Sequence, residues 1–216
     1  MGWKTTLAAS AVVSVAAFAA QAGVVLSDNF DTGTFTGNWT GDSDFSSPSS
    51  YAPYGGGSNA STDHVGPGFY GNLCQGGVGG CVDLDGSSGT GNDPAGVLES
   101  KTSFGLASYT LTFDLAGNER GAAAQTTDIY LGGTLEESIG PLASTAAWTP
   151  YSFTFTGSGN LTFVEVGPSD QQGNVLDNVT LTSSVPEPAT WALMLAGFGA
   201  LGAAMRGRRG KAMVSA

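Results

Sequence analysis

The groups in this sequence most able to do chemistry are carboxylates set close together in a short polar turn. Asp83 and Asp85 flank a single residue and precede Gly86, and a run rich in Ser and Gly follows. Calcium binds six to eight oxygen ligands at flexible distances, and a turn of this composition supplies several of them. The ligand rhythm and closing Glu of an EF-hand loop are missing. The spacing predicts a structural calcium site at Asp83 and Asp85, unless backbone amides satisfy both carboxylates instead.

A third carboxylate, Asp177, is predicted to point into the protein. It shares the face of Val175 and Val179 in a run with alternating apolar residues. A buried carboxylate has to be paired, hydrogen-bonded or bound to a metal. The central part of the chain offers only Lys101 and Arg120 as cations. Asp177 is therefore a further candidate ligand for calcium, with hydrogen bonding to backbone amides as the alternative.

Aromatic residues that could stack on sugar rings occur in a stretch dense in Ser, Gly, Pro and Asp. They are Trp39, Tyr51, Tyr54 and Tyr70. Sugar recognition uses flat aromatic faces together with a few amide and carboxylate hydrogen bonds. We expect residues 41–72 to form long loops over the fold, where binding residues tend to concentrate. The same aromatic residues could instead be lids over the hydrophobic interior.

Catalytic constellations are not found. The only histidine, His64, lies in a predicted loop without a G-x-S-x-G elbow. A glycosidase would need two carboxylates at a set separation, and the sequence cannot nominate a pair among so many acids. We therefore expect no enzyme activity, with a secreted hydrolase as a less favoured alternative.

The elements that would position these residues are β-strands. In residues 109–115, Tyr109, Leu111, Phe113 and Leu115 alternate with polar residues, a period of two that predicts a half-buried strand. About eight such strands without helices predict an all-β, jelly-roll-like sandwich of two sheets over residues 23–183. The predicted strands are 24–26, 81–84, 97–100, 109–115, 128–131, 151–156, 161–166 and 175–181.

Residues 1–22 are predicted to be a secretory signal peptide that forms a helix. Lys4 supplies the positive start, residues 7–20 are apolar, and Ala20-Gln21-Ala22 fits a small-x-small cleavage site. The alternative is an N-terminal helix of the mature fold. Cleavage would start the mature protein at Gly23.

Export has a consequence for the two cysteines. Cys74 and Cys81 enclose a glycine-rich loop, and an even pair in an oxidising compartment usually forms a disulfide. Two cysteines alone make a poor zinc site. We predict a Cys74–Cys81 disulfide that stabilises the fold by about 2–3 kcal/mol.

Residues 184–216 contain a second hydrophobic segment with different flanks. Two prolines so close together cannot lie inside a helix, and the 17 uncharged residues that follow them, 189–205, are at the short limit for a transmembrane helix. Basic residues after the span should remain cytoplasmic. In order, the elements are Pro186, Glu187, Pro188, Trp191, the span 189–205, Arg206, Arg208 and Arg209.

This order of Pro-Glu-Pro, a Gly/Ala-rich span and a terminal Arg cluster resembles the PEP-CTERM sorting signal of exported bacterial proteins. The resemblance covers about residues 185–209. It implies recognition and processing by an exosortase-type membrane protease. It also implies an inner-membrane intermediate and then a place at the cell surface or outside the cell. Members of that family typically come from Gram-negative bacteria that make extracellular polysaccharide.

The body resembles galactose-binding-like jelly-roll carbohydrate modules. The resemblance rests on the segments 82–86, 109–118, 148–155 and 176–179 and spans about residues 24–182. It implies a structural calcium held by acids near the first and last strands. The matching residues here are Asp28 and Asp31, together with Asp177.

The charge of the body limits its partners. Residues 23–183 hold two cations and seventeen acids, a formal charge of −15. Such a surface repels nucleic acid, which is bound mainly through Lys and Arg. We predict a non-catalytic surface or matrix protein that binds exopolysaccharide. The alternative is a structural or adhesive protein that binds other proteins.

Overall fold

The computed structural model describes residues 22–48, 60–71, 73–87, 95–168, 170–184, 194–202 and 206. These residues confirm the all-β fold, because strands account for most of the described chain and a single short helical segment, 194–202, follows them. The described strands are β1 (Gly23–Asp28), β2 (Thr36–Trp39), β3 (Phe45–Ser46), β4 (Thr62–Val65), β5 (Cys81–Asp83), β6 (Val97–Ala116), β7 (Gln125–Leu131), β8 (Thr134–Leu142), β9 (Thr149–Val166) and β10 (Val175–Ser183).

All strand pairs are antiparallel and belong to one continuous sheet that curls over on itself. The order is β2-β4-β5-β10-β6-β9-β7-β8, with β1 beside β10 and β3 beside β6. Strand β10 is central, since it pairs with β6 on one side and with both β5 and β1 on the other.

Two long strands make the curl by passing from one layer to the other. The first part of β6 pairs with β3 and with the end of β9, whereas its second part pairs with β10 and with the start of β9. The register between β6 and β9 shifts twice, between Glu99 and Ser103 and between Phe104 and Ala107. Such irregularities bend strands at the corners of a sandwich. The predicted sandwich is thus confirmed as a folded sheet with two layers.

The core lies between these layers. Phe113, from the second part of β6, meets Phe163, from the end of β9, with ring centroids 5.3 Å apart in an edge-to-face arrangement. Both rings are buried, as are Leu111, Leu115 and Leu161. The inward residues predicted for the strand at 109–115 therefore do form the core.

Strand number and loop extent differ from the prediction. The predicted strands 97–100 and 109–115 are two parts of β6, and 151–156 and 161–166 are two parts of β9. Strands β2, β3, β4 and β8 were not predicted. The expectation of continuous loops over 41–72 was wrong in the described part, because β3 and β4 lie within it. The reason is that β4, Thr62–Val65, is buried along its whole length and shows no apolar alternation.

The two ends of the chain are described only in part. Residues Ala22–Val185 form one compact unit, and Met1–Gln21 with Pro186–Ala216 fall outside it. The predicted signal peptide lies outside the described residues except for residue 22. Among the residues that the structure describes, no helix is long and apolar enough to cross a membrane. The domain boundaries stay a prediction.

Candidate functional site

Three carboxylates meet where the first strand ends and where β2 turns into β3. Asp28 is the last residue of β1, and Asp42 and Asp44 lie in the turn before Phe45. One carboxylate oxygen from each of the three lies within 4.8 Å of the other two. We call Asp28, Asp42 and Asp44 the acidic triad. The sequence analysis named Asp28 and missed its two partners, although the Asp-x-Asp spacing in a turn was a usable signal.

Local backbone bonds hold the acidic triad in place. The Oδ1 atom of Asp28 accepts a hydrogen bond from the Phe30 amide at 2.8 Å. The Oδ1 atom of Asp42 accepts from the amides of Asp44 and Phe45 at 2.8 and 2.9 Å. Asp residues favour turns because their side chains bond to the backbone a few residues on. Asp28 and Asp42 each accept backbone amide hydrogen bonds with one carboxylate oxygen.

The surroundings of Asp28 disfavour its ionised form. Burial raises the pKa of Asp28 from 3.8 to about 6, although the bond from the Phe30 amide lowers it. A hydrogen bond shared with Asp42 and repulsion from Asp42 and Asp44 raise this pKa further. Carboxylates that share a site hold a proton or a cation, because like charges this close repel.

The charge and chemistry of the triad fit a divalent cation. The Lys101 ammonium donates a hydrogen bond to the backbone carbonyl of Asp42, so one positive charge lies beside the triad. With all three carboxylates ionised, the triad and Lys101 together carry a net charge of −2. Calcium prefers carboxylate and carbonyl oxygens in flexible geometry, and the donor set therefore suits calcium.

Two other predicted ligands lie in the same acidic region. Burial raises the pKa of Asp177 to about 7, and repulsion from Asp31, Asp114 and Asp28 adds to this. The Asp177 carboxylate accepts a hydrogen bond from the Asn178 amide at 2.7 Å. Asp31 accepts from the Gly80 amide at 3.0 Å. Asp177 is thus close enough to Asp28 and Asp31 for repulsion between like charges, and neither Asp31 nor Asp177 is part of the triad.

Asp83 lies elsewhere, with partners of its own. It is fully buried and forms an ion pair with Arg120. Its Oδ1 accepts from the amides of Gly173 at 2.8 Å and Asp85 at 3.1 Å. Burial raises the pKa of Asp83 to about 8, although the Arg120 guanidinium lowers it. The sequence analysis did not find the partnership with Arg120, because the two residues are far apart along the chain.

The Asp85 carboxylate accepts hydrogen bonds from backbone amides. Its Oδ2 atom accepts from the amides of Asp170 and Gln171 at 2.9 Å and of Gln172 at 3.4 Å. Backbone amides donate hydrogen bonds to Asp83 and Asp85, and Asp83 also pairs with Arg120; calcium at these two residues stays a prediction. The five predicted ligands do not form one group.

The two cysteines form the predicted disulfide. Cys74 and Cys81 are bonded, and both are buried. Their bridge pins the loop between β4 and β5 to the start of β5. The Trp148 indole N–H donates to the Leu73 carbonyl at 3.3 Å. The apolar cluster under this loop contains Val65, Cys74, Cys81 and Val175, with Phe69, Leu73 and Trp148 packed against it.

The aromatic candidates divide into buried and exposed residues. Trp39 is 8% exposed and packs edge-to-face on Phe30 at 6.2 Å, so it belongs to the core and offers no face to a ligand. Tyr70 is 43% exposed. Tyr51 and Tyr54 lie outside the described residues.

His64 is held in the interior by the loop after β1. Its ring nitrogens face the carbonyl oxygens of Phe30 at 2.7 Å and Thr34 at 3.2 Å. The residue is 1% exposed and stacks beside Trp39. Its surroundings suit a structural residue that holds this loop.

The predicted sorting residues lie mostly outside the described part of the chain. Arg206 is helical and exposed. The others, Pro186, Glu187, Pro188, Trp191, Arg208 and Arg209, lie outside the described residues.

Solved structures share the fold of the body. The K1 cleaved adhesin domain of Lys-gingipain from Porphyromonas gingivalis aligns with a TM-score of 0.51 and 16% identity, covering 73% of this chain and 97% of that domain. The K2 domain of Lys-gingipain aligns with a TM-score of 0.50 and 15% identity, covering 72% and 98%. The CBM22-1 xylan-binding domain from Paenibacillus barcinonensis aligns with a TM-score of 0.43 and 13% identity, covering 78% and 98%. Comparison with curated proteins gives no significant match.

The body is an antiparallel β-sandwich domain, and its fold is similar to those of the K1 and K2 domains of Lys-gingipain. The end of the chain is more specific. Residues 184–209 match the PEP-CTERM protein-sorting motif. The chain therefore carries the sorting signal that its Pro-Glu-Pro, hydrophobic segment and Arg cluster resemble.

Proposed function

We propose that this protein is exported, processed by an exosortase-type protease and delivered to the cell surface or the extracellular matrix, where its body binds polysaccharide without catalysis. The observation that carries the proposal is the sorting motif at 184–209, which begins directly after β10 ends at Ser183. Processing within the motif would release a body with all its strands. The signal peptide at 1–22 and the membrane span at 189–205 belong to this proposal.

The interior chemistry supports binding rather than catalysis. Asp83 and Asp85 are engaged with Arg120 and backbone amides, and His64 is buried between two carbonyl oxygens. A catalytic acid or base has to reach its substrate. The exposed aromatic ring of Tyr70 has the character of a sugar-stacking group.

Calcium at the acidic triad is the second part of the proposal. Asp28, Asp42 and Asp44 would hold the ion, and it would link the end of β1 to the turn between β2 and β3. The cation would relieve the repulsion that raises the pKa of Asp28. Its role would be structural, since an ion that binds the folded body and not the unfolded chain stabilises the folded state.

Two measurements test the sorting and binding roles. Mass spectrometry of the C-terminus in cells with and without the exosortase should show a shortened chain only where the protease is present. Pull-down of the exported protein with the organism's own exopolysaccharide should retain it. If the protein supports cell aggregation but binds no glycan in calcium or in EDTA, the protein-binding adhesive role replaces the polysaccharide role.

A further inference from the structure

Tyr70 occupies an unfavourable backbone conformation on the loop that the disulfide pins. Its φ angle is +55°, in the left-handed region that bulky residues rarely adopt. Its ring is nevertheless 43% exposed, so core packing does not account for its position. Strained residues of this kind cluster at ligand-binding sites, where the surrounding structure holds them.

The Arg120 guanidinium lies over the Tyr70 ring. The Arg120 guanidinium carbon lies 5.3 Å from the centroid of the Tyr70 ring, within range for a cation–π interaction. Phe69 contacts the same ring, with centroids 4.4 Å apart. Arg120 itself is anchored by its ion pair with the buried Asp83, while its side chain stays 22% exposed. The aromatic ring and the guanidinium therefore form a fixed, partly exposed pair.

Hydrogen bonds connect the loop that carries Arg120 to the loop that precedes β10. The Asn118 side-chain amide donates to the Gly173 carbonyl at 3.1 Å, and the Arg120 amide donates to the Asn118 side-chain oxygen at 2.9 Å. Asp85 binds the amides that precede Gly173. Rigid placement of binding groups lowers the entropy lost on association. Arg120 is pre-organised in this sense, and it contacts the Tyr70 ring.

We propose that Tyr70 and Arg120 form a stacking subsite for neutral pyranose units of a polysaccharide; this inference rests on the proposed polysaccharide binding. The apolar C–H face of a sugar ring would lie on the exposed part of the Tyr70 ring, and guanidinium N–H groups would donate to sugar hydroxyl oxygens. A neutral glycan is favoured because the body carries a formal charge of −15, which repels a polyuronate.

The test compares variants that separate binding from folding. Tyr70→Gly removes the ring and also relieves the left-handed strain, since glycine adopts this conformation freely. Tyr70→Phe keeps the ring. Leu106→Ala changes another exposed hydrophobic residue, 79% exposed at the bend of β6, and is the matched control. The exported proteins are measured by affinity electrophoresis in a neutral β-glucan, in xylan and in a polyuronate, with thermal melting of each variant.

We expect the wild type to bind a neutral glycan and the polyuronate weakly or not at all. Tyr70→Gly should weaken neutral-glycan binding roughly tenfold or more, as truncation of a central aromatic anchor does, with no fall in melting temperature. Tyr70→Phe and Leu106→Ala should bind like the wild type. Equal binding by Tyr70→Gly would overturn the subsite while leaving polysaccharide binding intact. Preference for the polyuronate would overturn the neutral-sugar assignment. No binding by the wild type to any of the three glycans would overturn the subsite, whereas the pull-down with the organism's own exopolysaccharide decides the proposed function.

Discussion

Replacing Asp28 by Asn should change the stability of the body in opposite directions with and without calcium. The pKa of Asp28 is raised from 3.8 to about 6, so near pH 8 its ionised form costs the folded state free energy. Two pKa units correspond to about 3 kcal/mol for a fully buried group. Asp28 is only partly buried, and solvent screening reduces this to about 1.5 kcal/mol. In EDTA the Asn variant should therefore be more stable, by about 3–6 °C in melting temperature.

Calcium should reverse this order. A ligand at one hundred times its Kd stabilises the folded state by about 2.7 kcal/mol, which corresponds to about 5–10 °C for a body of this size. The variant lacks one of three carboxylates and should gain less than about a third of that stabilisation, which leaves it less stable than the wild type in calcium by at least about 0.3 kcal/mol. The Asn side-chain oxygen can still accept the hydrogen bond that the Phe30 amide donates to Asp28. The smaller response to calcium would therefore not result from the loss of this hydrogen bond.

Thermal melting followed by circular dichroism near pH 8 tests this prediction. The melting temperatures of the wild type and of Asp28→Asn are compared in EDTA and in millimolar calcium. Asp128→Asn is the matched control, because Asp128 lies on β7 and bonds Ser138 at 2.6 Å outside the triad. Its melting temperature should respond to calcium as the wild type does. A variant less stable than the wild type in EDTA would refute the repulsion argument. A wild type that melts at the same temperature in both solutions would refute the calcium site.

Three further predictions concern the rest of the body. Reducing the disulfide, or replacing Cys74 and Cys81 by Ser, should lower the free energy of unfolding by about 2–3 kcal/mol. Urea denaturation should show this as a lower midpoint with an almost unchanged m-value. Phe113→Ala should cost about 3–5 kcal/mol, since it leaves a cavity where the two layers meet; a loss under 1 kcal/mol in urea melts would contradict that packing. In EDTA, stability should be highest in mild acid and fall as the pH rises from about 5 to 8. Asp28, Asp83 and Asp177 all have raised pKa values, so the folded state binds more protons than the unfolded state in that range, and a urea midpoint that rises with pH would show this sign to be wrong.

Local periodicity predicted the strands of the core but not the bends that connect its layers. Residues 109–115 alternate cleanly because each inward residue packs on the opposite layer. The alternation is lost at the bend of β6, where Gly105 and Leu106 are exposed, so one long strand looked like two. Strand β4 has no apolar period because its polar residues are buried with partners from distant loops. Asp63, for example, accepts the amides of Asn38 and Ser87.

The candidate sites depended on the same long-range contacts. The sequence could place Asp28 near the end of a first strand, but its neighbours Asp42 and Asp44 come close only because the turn before β3 lies beside the end of β1. The scarcity of cations suggested that buried acids lack ion partners. Arg120 nevertheless reaches Asp83, a pairing that no local pattern encodes.

The position of β10 connects the fold to the sorting motif. This last strand of the body pairs with three others, and its final residue, Ser183, lies opposite Gly23 at the start of β1. Ser184 continues the hydrogen bonding, since its amide and its hydroxyl both donate to the Ser108 carbonyl, at 3.0 and 3.1 Å. A cut before β10 would remove the central strand of its layer, whereas a cut beyond Ser184 would leave every described strand pair intact. The motif at 184–209 thus begins where the hydrogen bonding of the sheet ends, and processing at Pro-Glu-Pro is compatible with a body that has already folded.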